Sequence, residues 1–553
     1  MSTPPARLKP QLTPLRPLRP ESSLGYVSSV NIARDCFLLL TAGAAGMAVL
    51  LALLPAVGHD QMWCLYVAQR MLHGERLYGP ELLESNPPLI MWLMLLPAAL
   101  TRVLHLPITF LFKSGVVLVG ALVSILSVRL LRRRAMNSNA STYSSLFIFL
   151  VIFGAMPARD FGQRDHLLSL LCLPYILAAA LEISERPRNL RRAVLLLIGF
   201  AAGLGVALKP HHLLLVLAVE TTLLVKRRAI SSLLRPELLA LSGTLLLYLA
   251  AICLLTPDYL TAILPLLRGT YWAIGDLTAA QLLTESLQLH ILAAITVTLV
   301  CVRGWHRRCA PAPLLVLAGM AGTVAYYLQG TGWYYQQLPA LSFFALALWF
   351  GLEMELSTLS KRLGLPKWSP AAILGLVVLS LSLTAFFSGY NLRQPLSFPS
   401  GLSDTPDPKL LDGLAPGTPV AILSTVVDDT IPPVFTRHLL WAQRTNNLWV
   451  LPAILLNESP APGTTPRHQI PPERLMELDR AQHRWMVEDL NRWKPRRILV
   501  ARCQAPEVHC QILGNRHDDL LAWFASDPAF RTVFSRYRLW QSSGMYDAYT
   551  LLP

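Results

Sequence analysis

The chain has 553 residues, of which 53% are hydrophobic and 15% charged, and its formal net charge is +15. A soluble chain carries about a quarter charged residues, whereas here the apolar residues gather in blocks near the ~20 needed to cross a bilayer, which excludes an ordinary soluble globule. The basic excess does not indicate nucleic acid, because Arg and Lys sit in short runs between apolar blocks, the pattern of membrane orientation.

In chain order, residues 1–35 are polar and rich in Pro and Arg. They precede a block long enough to span, so they read as a cytoplasmic tail and not as a cleavable signal peptide. Arg7, Lys9, Arg16, Arg19 and Arg34 orient that first span, near 36–57, with its start inside. The chain then exits at Gly58-His59-Asp60. The block 88–104 is short for a span, and counting it as one would put Arg132, Arg133 and Arg134 outside. It is expected to be a juxtamembrane or re-entrant helix. Further spans are expected near 108–130, 143–158, 167–184, 193–208, 211–225, 238–255, 287–302, 312–328, 338–356 and 369–388, eleven in all. The basic turns at 186–192, 226–228, 303–308 and 361–367 then fall in the cytoplasm. No repeat of fixed period is visible.

The remainder, 391–553, is richer in Pro, Asp and Arg and lies outside in this threading. Stretches 419–425, 497–502 and 547–552 predict strands, and 473–493 and 518–526 predict helices, together a small α/β domain. It has no Gly-rich phosphate loop and no nucleophile elbow, and reads as a lid or docking domain. Eight cysteines show no metal-ligand spacing. Six lie in or beside apolar segments as small hydrophobes. Cys503 and Cys510 are in the polar tail, where an outside location permits a disulfide.

Ionisable residues in or beside bilayer segments usually face a wet cavity, and the outward segments hold four groups of them. The first is Asp60, followed by Glu84-Ser85-Asn86-Pro87-Pro88-Leu89. A carboxylate can take the proton of an attacking hydroxyl; Asp60 can equally cap the helix that starts beside it. The second is Arg159-Asp160-Phe161-Gly162-Gln163-Arg164-Asp165-His166, joining two spans. Arginines here can meet phosphate, or Arg and Asp can form an interfacial pair. The third is Lys209-Pro210-His211-His212 between two short apolar runs; the lysine can hold a phosphate as a point charge. Adjacent His residues rarely chelate one ion, so metal is not indicated. The fourth is the run 329–337 with Trp333, Tyr334 and Tyr335, rings that either stack on a sugar or form an interfacial belt.

These motifs resemble the GT-C superfamily of glycosyltransferases. The similarity is greatest to the bacterial branch related to protein O-mannosyltransferases and to the aminoarabinose transferase that modifies lipid A. In that family an Asp follows the first span, as Asp60 does, and a Pro-Pro-Leu motif opens a juxtamembrane helix, as Pro87-Pro88-Leu89 does. Before the paired prolines the lipid A enzyme has Lys and O-mannosyltransferases have His; this chain has Asn86. The family's second acidic residue precedes a Leu-rich span, where Asp165 is the better match and Asp160 the alternative. A Gly-x-x-x-Lys element corresponds to Gly205 and Lys209, and the aromatic run to a loop lining the lipid-phosphate site.

The resemblance implies an all-α polytopic membrane domain (36–390) with juxtamembrane helices in its first outer loop, followed by the extracytoplasmic α/β domain. It implies a multi-pass protein of the bacterial inner membrane that moves a sugar from a polyprenyl-phosphate carrier to an extracytoplasmic glycolipid, polysaccharide or protein, with inversion. Asp60 and Asp165 would be catalytic. Lys209, Arg164, Arg159 and His211 would bind the donor phosphate. Glu84, Asn86, Asp160, Trp333, Tyr334 and Tyr335 would line the substrate. No cofactor is required, since Lys and Arg can supply the positive charge. A transporter of lipid-linked sugar, or a non-catalytic scaffold acting through the tail, are the competing readings.

Overall fold

The computed structural model describes residues 57–132, 139–183, 190–275, 277–362, 406–458, 468–502 and 518–553. The expected spans 36–57 and 369–388, the boundary at 390/391, and Cys503 and Cys510 lie outside the described residues.

The first part is helical. Residues 57–107 hold α1 (His59–Leu72) and α2 (Leu89–Leu104). They are followed by α3 (Ile108–Arg132), α4 (Asn139–Leu150), α5 (Arg164–Ile183), α6 (Arg192–Leu208), α7 (Leu213–Arg227), α8 (Pro236–Leu255), α9 (Leu287–Val302), α10 (Pro311–Gln329) and α11 (Leu338–Arg362). Among the described residues, five helical segments are long and apolar enough to cross a membrane: Ile108–Arg132, Arg164–Ile183, Pro236–Leu255, Pro311–Gln329 and Tyr334–Leu356. The segment Ala279–Glu285 joins α9 at a bend of 82°. Three expected spans take other forms. The 143–158 block passes from α4 into a widened π turn at Val151–Ala155, while α6 and α7 have 17 and 15 residues. At 1.5 Å per residue α7 reaches only about 22 Å.

As expected, 88–104 is a short helix. Pro88 opens it, its 16 residues give a rise of about 24 Å, and Leu93, Leu96, Leu100, Val103 and Leu104 are left exposed. Such an apolar face suits the membrane surface.

Packing between helices rests on small residues. A Cβ on Gly199 of α6 would come within 2.0 Å of the Glu237 carbonyl oxygen on α8, and one on Gly203 within 2.6 Å of the Thr244 Cβ. Without a hydrophobic driving force between helices, close backbone approach of this kind supplies much of the association. Near the same pair, Arg235 is buried between Glu220 and Glu237, the latter at 3.0 Å, and Tyr175 donates its hydroxyl to Glu220. A cation and its carboxylates are thereby paired away from lipid.

The tail forms a five-stranded sheet with β1 (Pro419–Leu423), β2 (Leu440–Trp441), β3 (Arg497–Ala501), β4 (Tyr537–Ser543) and β5 (Tyr546–Leu551), in the order β2-β1-β3-β5-β4. β2, β1 and β3 are parallel, with Val420 opposite both Trp441 and Arg497, and β5 and β4 are antiparallel. Every residue of β3 is buried, as in a strand covered on both faces. Its helices include α12 (Val427–Thr436), α13 (Leu451–Glu458) and α14 (Pro472–Trp493). The three expected strands and two expected helices are present, the second helix at Leu520–Ala525; β2, β4, α12, α13 and a helix at Pro528–Phe534 are additional.

The tail packs on the segment 57–107. The Trp441 backbone N–H donates to the Tyr66 hydroxyl at 2.8 Å, the Leu83 N–H to the Arg444 carbonyl at 2.8 Å, and Arg492 pairs with Glu81 at 2.8 Å. One apolar cluster runs from Trp63, Leu65 and Val67 of α1 into Val420, Ile422 and Trp441 of the sheet.

Candidate active site

Two turns form the site, and local chemistry fixes both. Gly58 precedes α1, and Gln61 in that helix's first turn donates to the carbonyls of Arg159 (3.4 Å) and Phe161 (3.5 Å). This binds the first turn to the second. In the second, Ala158–Asp160 is a single 3-10 turn, and Gly162 follows at φ +83°, a left-handed conformation that glycine adopts without strain. A Cβ there would meet Phe112 at 2.4 Å. His166 locks the turn, accepting the Gly162 N–H at 2.9 Å and donating to the Phe153 carbonyl at 2.9 Å.

Asp60 therefore faces the start of α5. It sits inside α1 and makes no cap, so the capping role expected as an alternative is not the one observed. Gln163 donates to its Oδ2 at 2.7 Å, Arg164 lies 4.0 Å from the same oxygen, and His59 lies 3.3 Å from Oδ1. Burial works against the charge, but the His59 imidazolium, Arg164 and the Gln163 hydrogen bond hold Asp60 well below the usual carboxylate range.

Arg164 also donates to the Asn86 side-chain carbonyl. Asn86 in turn donates its side-chain amide and its backbone N–H to Glu84, at 2.6 and 2.7 Å, and Trp63 donates to the other Glu84 oxygen. Burial raises Glu84 above its ordinary range. Where the family resemblance places a cation before the prolines, Asn86 instead orients a neighbouring one.

Asp160 is buried at 6% exposure and its carboxyl makes no hydrogen bond among the described residues; desolvation pushes it to about 7. Half-buried Arg159 makes no ion pair among the described residues, which leaves a guanidinium beside the turn.

A second cluster lies behind this one. Lys209, in the break between α6 and α7, is 2.8 Å from Asp165, donates to Gln329 at 2.7 Å, and stands 5.1 Å over the Tyr335 ring. Asp165 is fully buried and also 3.6 Å from His212. The two candidate roles thus meet in one ion pair. His211 has a buried, unpartnered Nε2, and burial with His212 and Lys209 nearby lowers it to about 3. It is neutral and can meet an anion only through an N–H. Of the aromatic run, Tyr335 joins the Lys209 cluster, Tyr334 donates to the Met156 carbonyl at 3.0 Å, and Trp333 packs on Tyr335 at 5.7 Å. The charges of Arg164, Asp60, Asp165 and Lys209 act on one another, so the two clusters are one electrostatic site.

The candidate residues are therefore gathered, with different partners than spacing suggested. Sequence reasoning passed over His59, Gln163 and Asp428. His59 and Gln163 were visible beside singled-out residues; Asp428 lies in the tail and carries no local signal. Among the described residues no three His, Cys, Asp or Glu side chains are placed to hold a metal ion. A cavity of about 950 Å³ lies elsewhere, lined by Met62, Tyr66, Arg70, Lys113, Phe435 and Leu439, and Asp60, Arg164 and Lys209 are not on its wall.

No family model and no curated protein matches the sequence. Among solved structures the chain is similar to ArnT from Cupriavidus metallidurans in the apo state, at 13% identity and TM-score 0.49, over 93% of this chain and 98% of that one. It is similar to the same protein bound to undecaprenyl phosphate, at 13% identity and TM-score 0.46, over 96% and 98%. It is also similar to the archaeal oligosaccharyltransferase AglB from Archaeoglobus fulgidus, in complex with an inhibitory peptide and a dolichol-phosphate, at 12% identity and TM-score 0.47, over 92% and 74%.

Proposed function

We propose that this protein is an integral-membrane glycosyltransferase that moves a sugar from a polyprenyl-phosphate carrier to a hydroxyl of an extracytoplasmic acceptor, with inversion. The observation that carries the reading is the meeting of the Asp60 carboxylate with Gln163 and Arg164, near Arg159, which makes no ion pair among the described residues. The Asp60 and Pro87-Pro88-Leu89 motifs that resemble the GT-C superfamily supply the reaction class.

In the proposed step the acceptor oxygen bonds to the anomeric carbon as that carbon's bond to the phosphate oxygen breaks. The acceptor proton passes to Asp60, and polyprenyl phosphate leaves. The hydroxyl becomes strongly acidic only as its new bond forms. The base must therefore be ionised and well placed more than strong, which suits a carboxylate held below its usual range. Arg164 and Arg159 stabilise the charge that develops on the departing phosphate. Lys209 adds a more distant positive field, set by Asp165 behind it. The arginines and the lysine suffice for this, and the reading requires no metal.

The test is release of polyprenyl phosphate from a pool of synthetic polyprenyl-phosphate monosaccharides by purified protein in lipid, with candidate acceptors added and Asp60→Asn alongside. Acceptor-dependent release that falls about 10²–10⁴-fold in the variant supports the reading. Equal release by both proteins removes Asp60 as the base. No release by folded wild-type protein across the pool favours a transporter.

A further inference from the structure

We propose that Asp428, on the tail domain, is a positioning residue for Asp60, acting through His59, so that the tail completes the active site. The inference rests on the glycosyltransferase reading and extends it to a domain without catalytic motifs of its own.

The first turn of α12 carries two adjacent carboxylates that point to different partners. Asp429 is buried and accepts the Tyr546 hydroxyl from β5, which fixes the helix start on the sheet. Asp428 instead reaches the membrane domain, where His59 Nδ1 donates to its Oδ1 at 2.7 Å. The opposite ring nitrogen, Nε2, lies 3.3 Å from Asp60 Oδ1. A neutral imidazole has only one N–H, so a carboxylate at each nitrogen selects the imidazolium. Burial opposes that charge, yet Asp60 and Asp428 raise His59 to about 10. Arg159, Arg164 and Asp160 are the other charged groups around this triad.

The chemical consequence is directional. Asp428 sets the ring's orientation, and the ring engages one oxygen of Asp60. The other oxygen, which accepts from Gln163 and lies 4.0 Å from Arg164, faces the approaching hydroxyl. The tail's other contacts with the first loop, Trp441 to Tyr66, Arg444 to Leu83 and Arg492 to Glu81, do not touch the site. Removing the Asp428 charge therefore leaves the tail docked while freeing the ring.

The experiment compares wild type, Asp428→Asn, Asp428→Glu and Glu81→Gln as full-length protein in lipid. Each is given the synthetic polyprenyl-phosphate monosaccharide that wild type turns over fastest. Asp428→Asn is expected to lower kcat about tenfold with the donor KM within about twofold, because the lost contact acts on the reacting group and not on donor binding. Asp428→Glu is expected to restore most of kcat, and Glu81→Gln, which weakens docking away from the site, to keep it. A wild-type kcat in Asp428→Asn overturns the inference, as does an equal loss in Glu81→Gln or a failure of Asp428→Glu to restore rate. These outcomes leave the glycosyltransferase reading standing, since they require an active wild type; an inactive wild type sinks both.

Discussion

The Lys209–Asp165 pair gives a quantitative test of how the charged cluster is built. The separation is 2.8 Å, and both side chains are nearly or fully buried, at 7% and 0% exposure. At an effective dielectric of about 20, charges at that distance attract by roughly 6 kcal/mol before desolvation is subtracted. Removing one partner strands the other charge and costs about 3–5 kcal/mol, whereas replacing both by apolar groups of similar size is often near neutral. Lys209→Met and Asp165→Leu should each lower the thermal unfolding midpoint in lipid, and the double variant should recover most of the loss, a coupling well outside the ~0.5 kcal/mol of independent sites. Transfer should remain impaired in the stable double variant, because the field at the phosphate is gone. Additive single effects, or single variants as stable as wild type, would refute the ion pair as a structural unit. Full activity in the double variant would refute Lys209 as a contributor to the reaction.

Folded Asp160 keeps its proton to about 7, whereas an unfolded carboxyl loses it near 4. The folded state thus binds more protons between those values, and stability falls as pH rises across the window. Asp160→Asn should stabilise the protein at pH 8 by roughly 1–4 kcal/mol and very little at pH 4, read as unfolding midpoints; an equal effect at both pH values would place the carboxyl in a wet, ordinary environment. Gly199→Ala should separate α6 from α8, since the new Cβ would sit 2.0 Å from the Glu237 carbonyl oxygen. A loss of at least 1–3 kcal/mol is expected, and an unchanged midpoint would contradict the close packing. Transfer should survive a strong chelator such as EDTA without change in kcat; loss restored by a divalent cation would bring a metal into the reaction.

Much of the site was legible because membrane chemistry makes it so. A charged residue at the end of an apolar block is costly unless it has work to do, and that alone singles out Asp60, Arg164, Asp165 and Lys209. The short block at 88–104, the motif Pro87-Pro88-Leu89 and three of the tail's five strands were equally readable, since length, proline and alternation are local properties. Helix interruptions were harder. The π turn at Val151–Ala155 is an adjustment to neighbours that no local pattern records.

Pairing lay beyond the sequence for a simple reason: it depends on which ends of distant elements meet. The resemblance implied Asp165 as a catalytic residue and Lys209 as a phosphate ligand, and packing places them against each other. Asn86 breaks the expected cation motif, yet the fold sets Arg164 from another loop beside it. His59 and Asp428 are 369 positions apart, and only docking of the tail on the segment that holds α1 brings them to 2.7 Å. The sequence by itself determined the membrane class, the helical and α/β parts and the inventory of charges, because hydrophobic length and periodicity are written along the chain. Tertiary structure alone decided which charge neutralises which, because a carboxylate's protonation and reach follow from burial and from the partners the fold delivers to it.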